Sequence, residues 1–220
     1  MPIVAVLFDL DGTLVDTERE SAEGMARFLA TRGVVVDEAD RDFVIGHSWN
    51  EIYARLRTRH GVTLPLAEVV AGSAREREQV LAAGVRLLPG ARDAIARLRA
   101  RVPLGLVSGS SRRELDFSLA SAGLGGAFRV TIASEDVAEG KPSPLGFRLC
   151  AERLGVAPGG CLVIEDSRAG IAAAKAAGMR CVAVRAGNFA RQDQSAADVV
   201  IDTLEEVDDA FLARTGLSWR

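Results

Sequence analysis

Ile3-Val4-Ala5-Val6-Leu7-Phe8-Asp9-Leu10-Asp11-Gly12-Thr13 is six apolar residues that run straight into two carboxylates and a glycine. An unbroken apolar run of strand length predicts a strand buried on both faces, as in a parallel sheet. Residues 104–107, 130–133, 161–164 and 181–184 repeat the pattern, and 198–201 can add a sixth strand. Helical spacing fills most of the intervals, over 91–101, 112–122, 144–154 and 168–177, the last stopping at Gly178. Strands alternating with helices predict an α/β fold, a doubly wound parallel sheet.

One interval is far too long for an ordinary crossover. From 17 to 84 there is no strand signal, only helices. Ala22, Met25, Phe28 and Leu29 share one face of a helix over 17–32 that ends at Gly33; a second covers 38–45 and ends at Gly46. Ser48 with Glu51 forms a capping box ahead of Trp49, Ile52, Tyr53 and Leu56, and Pro65 suits the first position of a helix running toward Ala83. The expected organisation is a sheet domain over 1–16 and 85–220 with an inserted α-helical domain over 17–84. Asp16 is read as the cap of the first insert helix, and His60 as a charge stabiliser at a helix C-terminus.

Composition removes several function classes. With 220 residues and 48% hydrophobic content the chain can bury a core, which excludes disorder. No apolar run approaches the ~20 residues that span a bilayer. A net charge of −3 argues against nucleic-acid binding. Residues 1–8 carry no basic n-region, so no signal peptide is expected. Cys150, Cys161 and Cys181 show no zinc spacing and lie in apolar surroundings, as buried thiols of a cytoplasmic protein would. Of 27 basic residues only Lys141 and Lys175 are lysines. An arginine-rich chain that keeps Lys141 has use there for a compact ammonium.

Open parallel sheets bind ligands outside the carboxyl ends of their strands, so polar residues at strand ends deserve the first look. The first strand ends in Asp9-Leu10-Asp11-Gly12-Thr13 and the second in Ser108-Gly109-Ser110-Ser111; Lys141-Pro142-Ser143-Pro144 follows the third, and Glu165-Asp166-Ser167 ends the fourth. Four carboxylates in a small volume are costly unless cations intervene. Lys141 offsets one, and an oxygen-rich ligand set points to magnesium for the rest. The Ser108 hydroxyl with the amides of Gly109 and Ser110, ahead of a helix, makes an anion site. Taken singly, each motif has a plainer explanation: a solvated turn or calcium loop, a helix cap, an exposed lysine, an N-cap with an acidic neighbour. Together they describe a site for magnesium and phosphate.

The run from Phe8 to Thr17, with Ser108, Lys141 and Glu165-Asp166-Ser167-Arg168-Ala169-Gly170, resembles the motifs of the haloacid dehalogenase superfamily. The position of the insert resembles its helical-cap branch of phosphoglycolate phosphatase and β-phosphoglucomutase. The resemblance covers essentially the whole chain and implies a Rossmann-like core with a cap domain. It implies that Asp9 is the nucleophile that becomes an aspartyl phosphate and Asp11 the general acid/base. Ser108, Gly109 and Lys141 would bind the substrate phosphate. Asp9, Asp11 (through its main-chain carbonyl), Glu165 and Asp166 would hold Mg2+. Thr13 is expected to fix the turn by hydrogen bonding.

Within the family, Asp11 disfavours dehalogenation, since a departing halide takes no proton. The insert contains no lysine to form the Schiff base of a phosphonate-cleaving relative. A phosphomutase is the nearest competitor, although Ser21 and Trp49 stand where that branch carries histidine and arginine. From another class, the chain could be a non-catalytic binding protein on the same fold. The expected partner is a small phosphorylated metabolite, with no nucleic acid and no membrane, and the expected state a monomer or weak dimer. His47, Trp49 and Asn50 form a polar-aromatic segment, the candidate specificity element of the insert.

Overall fold

The computed structural model describes residues 2–44, 47, 49–82, 84–188, 191–208 and 210–211. It divides into two compact units, Met1–Val15 with Arg86–Arg220, and Asp16–Val85.

The first unit carries the six strands read from the sequence: β1 (Ala5–Phe8), β2 (Leu104–Val107), β3 (Val130–Ile132), β4 (Cys161–Glu165), β5 (Arg180–Val184) and β6 (Val199–Ile201). All pair in parallel in the order β3-β2-β1-β4-β5-β6. β1 starts two residues later than its apolar run, although the Val4 amide already donates to the Gly160 carbonyl beside β4. Successive strands are added outward on one side of β1 (β2, β3) and then on the other (β4, β5, β6), so the order switches between β1 and β4 and the carboxyl ends of these two parallel strands border the crevice where such folds place ligands. Ala5 and Leu7 point into one layer with Val163, Cys181, Phe147 and Ile171, and Phe8 meets Phe128 edge to face with ring centroids 6.1 Å apart. Cys150, Cys161 and Cys181 are buried free thiols; burial pushes the Cys161 thiol up to about 11.

The helices that pack around this sheet are α5 (Ala91–Arg99), α6 (Arg112–Ser121), α7 (Leu145–Leu154) and α8 (Arg168–Ala176). Two have well-made N-termini. Ser111 and Glu114 form a reciprocal capping box on α6, and Ser167 caps α8 by accepting from the Gly170 amide.

The second unit is α1 (Thr17–Ala30), α2 (Glu38–Val44), α3 (Trp49–His60) and α4 (Leu66–Ala82). Asp16 caps α1, its side chain accepting from the Arg19 amide at 3.3 Å. Met25, Phe28, Leu29, Val44, Ile52, Leu56 and Val69 form its core. His60 stands in the last turn of α3 as expected, and has a further partner. Its Nε2 shares a hydrogen bond with Asp40, a carboxylate whose side chain is 1% exposed and which also accepts from Arg55 and Arg59. Burial pushes the Asp40 carboxyl up, yet these donors outweigh it and hold the group well below the usual carboxylate range. The imidazole, in the last turn of α3, also belongs to the ion cluster around buried Asp40. Ser48, the expected cap of α3, lies outside the described residues. Among the described residues no helix is long and apolar enough to cross a membrane.

Candidate active site

Register determines which side chains meet. Phe8 lies opposite both Leu106 and Ile164, so the next residue on β1, Asp9, comes level with Val107 and Glu165. The Asp9 amide donates to the Ile164 carbonyl at 3.0 Å, and the Ser108 amide to the Ile132 carbonyl at 3.0 Å. Each polar residue thus sits where its strand has just ended but its backbone is still pinned. Past Asp9 the chain turns tightly: the Leu14 and Val15 amides both return to the Leu10 carbonyl, and the Gly12 amide to that of Val15. Gly12 adopts φ +83°, and a Cβ there would lie 2.4 Å from an Asp166 carboxylate oxygen. The turn therefore needs glycine twice over.

Lys141 joins the two central strands. Its ammonium donates to Asp9 and, at 2.7 Å, to Glu165 Oε1. Its side chain is 15% exposed, that of Asp9 7% and that of Glu165 fully buried. The other Glu165 oxygen accepts from the amides of Asp166 and Ser167 and from the Ser167 hydroxyl. Gly170 makes room for this carboxylate, since a Cβ there would stand 1.6 Å from Oε1. Asp166 accepts from the Thr13 hydroxyl at 3.0 Å, so Thr13 ties its turn to the far side of the site.

Asp11 belongs to a different group of contacts. One of its oxygens accepts from the hydroxyls of Ser108, at 3.0 Å, and Ser110, at 2.8 Å. The Ser110 amide is turned onto the Ser108 hydroxyl, also at 3.0 Å. It is spent within the turn instead of being held out to an anion as expected, because the short Ser-Gly-Ser bend folds back on itself. Gly109 is exposed between them. Ser110 is a contact of Asp11 that the sequence reading missed; the signal was a second hydroxyl two residues after the first.

Asp9, Glu165 and Asp166 each place a carboxylate oxygen within 4.8 Å of the others. The Asp11 side chain is not part of that group. Burial pushes the Asp9 carboxyl well up despite Lys141, and Glu165, Asp166 and Asp11 add to the effect. Burial also raises Asp166, to about 7, with the Glu165 carboxylate contributing. Conversely, the two carboxylates outweigh burial and hold the Lys141 ammonium above its ordinary range. One ammonium among three buried carboxylates leaves negative charge uncompensated, and hard oxygen donors fit a divalent cation such as Mg2+. His47, Trp49 and Asn50 lie in the second unit. His47 is exposed and stacks on Phe43 with centroids 3.8 Å apart; Trp49 packs half-buried against the helical core, and Asn50 is exposed.

A doubly wound parallel sheet with a lysine-bridged acidic centre at the β1–β4 crevice is a Rossmann-like α/β core. The chain belongs to the haloacid dehalogenase-like hydrolases, whose family profile matches residues 3–178. It is 35% identical over 205 residues to validoxylamine A 7'-phosphate phosphatase of Streptomyces hygroscopicus subsp. limoneus, covering 91% of this chain and 94% of that protein. It is 33% identical over 185 residues to the fructose-1-phosphate phosphatase YqaB of Escherichia coli, covering 82% and 95%. A solved structure of a hydrolase of the same family from Deinococcus radiodurans, with bound phosphate and sodium, aligns with a TM-score of 0.79 at 30% identity over 100% of this chain and 99% of that one.

Proposed function

We propose that the chain is a Mg2+-dependent phosphatase that hydrolyses a small phosphorylated metabolite, a sugar phosphate or a phosphoglycolate-like acid, through an aspartyl phosphate on Asp9. The observation that carries this is the buried Asp9 held on Lys141 beside Glu165, with Asp11 set apart on two serine hydroxyls. The phosphatases among its relatives support the reaction class.

The residues divide the work as follows. Asp9 attacks phosphorus as the ester bond to the leaving oxygen breaks, and Asp11, carrying a proton, delivers it to that oxygen. Asp11 then takes a proton from water as the water attacks phosphorus. The bond to Asp9 breaks and inorganic phosphate is freed. Lys141 holds the phosphoryl oxygens in line, joined by the Ser108 hydroxyl once it turns from Asp11 to the phosphate, and such positioning is most of what the reaction asks of a protein. Asp9, Glu165, Asp166 and the Asp11 carbonyl would hold the metal, which when bound neutralises charge gathering on the phosphoryl oxygens. The helical insert would act as a cap, with His47, Trp49 and Asn50 reading the organic group. At the position where a mutase carries histidine this chain has Ser21, whose hydroxyl donates to the Thr17 carbonyl within its own helix; serine in place of the imidazole favours hydrolysis over phosphoryl return.

A panel of sugar phosphates and two- and three-carbon phosphoacids, assayed for inorganic phosphate with and without Mg2+, tests the reading. Metal-dependent release is expected. Isomerisation of a sugar phosphate without net release would make the chain a mutase, and no turnover under any metal condition would overturn the enzyme reading.

A further inference from the structure

Gln194 lies between β5 and β6, is 7% exposed, and belongs to none of the motifs above. Its Nε2 donates twice, to the Asp166 carbonyl at 2.7 Å and to the Val184 carbonyl at 2.8 Å. Those two carbonyls have a defined place in the sheet. The β4–β5 ladder runs up to Glu165 opposite Ala183, and Asp166 and Val184 are the next residue on each strand. Beyond this point β4 gives way to the cap of α8 at Ser167, so no main-chain amide continues the ladder. One side-chain amide takes its place and ties the two strand ends together.

The consequence falls on Asp166. Its amide is held by Glu165 Oε2 and its carboxylate by the Thr13 hydroxyl. Gln194 supplies the third hold, on the carbonyl, and so fixes the peptide from which the carboxylate projects. A nitrogen with two hydrogens is what this task requires. Glutamate offers no donor when ionised, methionine offers none at all, and asparagine is a methylene too short to keep both bonds at their present length. Outer groups of this kind set the geometry and affinity of the ligands they support.

We propose that Gln194 is a positioning residue for the metal site, acting on Asp166 through its main-chain carbonyl; this rests on the assignment of Asp9, Glu165 and Asp166 as the Mg2+-holding group.

The test is direct titration of Mg2+ into the full chain by isothermal calorimetry, for wild type, Gln194→Met and Gln194→Asn. Melting without metal, and steady-state kinetics on an aryl phosphate at saturating Mg2+, accompany it. Loss of such a support is expected to raise the Mg2+ Kd about 10- to 100-fold in Gln194→Met, with a smaller rise in Gln194→Asn. KM for the ester at saturating metal should stay near wild type. A role confined to holding the sheet would lower the melting temperature and leave the Kd of the folded protein unchanged, and that result overturns the proposal. If Gln194→Met does not fold, Gln194→Asn is judged by the same criterion. If wild type itself shows no Mg2+ binding, the metal assignment falls and the role of Gln194 with it, whereas equal binding by wild type and variant overturns the Gln194 role alone.

Discussion

Lys141 is where the structure allows the sharpest perturbation. Lys141→Met keeps an unbranched chain of similar length but removes the ammonium that touches Asp9 and lies 2.7 Å from Glu165. At an effective dielectric of about 20, an ion pair at this separation attracts by about 6 kcal/mol. Desolvation of the buried ions offsets much of that, and removing one partner of a buried pair costs about 3–5 kcal/mol in net. Part of the loss appears as stability and part as proton affinity of Asp9, whose carboxyl burial already holds high. Each further unit of that rise costs about tenfold in ionised nucleophile. A fall in kcat/KM of about 10²- to 10³-fold is therefore expected, with the acid limb of the pH–rate profile moving upward, since a positive neighbour has gone. Lys141→Arg keeps the charge but replaces a compact head by a wide planar one in a site shared with the Phe147 ring, whose centroid is 5.3 Å from the ammonium. A loss of about 10- to 100-fold is expected there, because displacement of this order misaligns the reacting groups. The assay is phosphate release from an aryl phosphate at saturating Mg2+, with melting curves to establish that each variant is folded. Met activity within a few-fold of wild type would refute the role of Lys141 in holding nucleophile and phosphate. Full activity in the arginine variant would refute the need for a compact ammonium.

Asp9→Asn preserves shape but removes the attacking charge; turnover should fall by several orders of magnitude while the fold persists, and stopped-assay phosphate release with a melting curve checks it. Asp11→Asn should damage esters with poor leaving groups more than aryl phosphates, which depart without a proton, and equal losses on both would make Asp11 merely structural. Asp40→Asn, in the buried ion cluster of the helical unit, should lower stability by about 2 kcal/mol, measured by melting at neutral pH. Because the Asp40 carboxyl is held low in the folded state, its contribution is present above the unfolded value near 4 and is lost as pH falls below it. Wild type should therefore lose more stability than the variant between about pH 5 and pH 3. Trp49→Ala and His47→Ala should raise KM for the best panel substrate while sparing a small aryl phosphate; unchanged kinetics on both would remove this segment as the specificity element.

The strands were legible because a parallel sheet buried on both faces must be written as short unbroken apolar runs, and each of the six stops within a few residues of where its run does. The insert was legible for the opposite reason: Met25, Phe28 and Leu29 recur at helical period where strand runs are missing. Asp40 was not, since its partners Arg55, Arg59 and His60 lie a helix away and a lone aspartate in a polar stretch carries no periodic signal. Ser110 was half visible. Its spacing after Ser108 was plain, but whether its amide or its hydroxyl would be used depended on how the bend closed. Gln194 was invisible, because nothing local distinguishes a glutamine in a loop from one that bridges two strand ends.

The amino-acid sequence alone therefore determined the alternation of elements, the interruption after the first strand, and the residue types at four strand ends. Each is dictated by local pattern, by which side chains can be buried and which cannot. Tertiary structure decided the rest: that Asp9 comes level with Glu165, that Lys141 takes both as partners, that Thr13 reaches Asp166, and that Asp11 leans on two serines instead of joining the carboxylate cluster. Apart from Lys141–Glu165, which are 24 positions apart, those hydrogen-bonded pairs are 97 to 153 positions apart. They follow from strand order and register, which are settled only when the whole sheet buries its two faces at once.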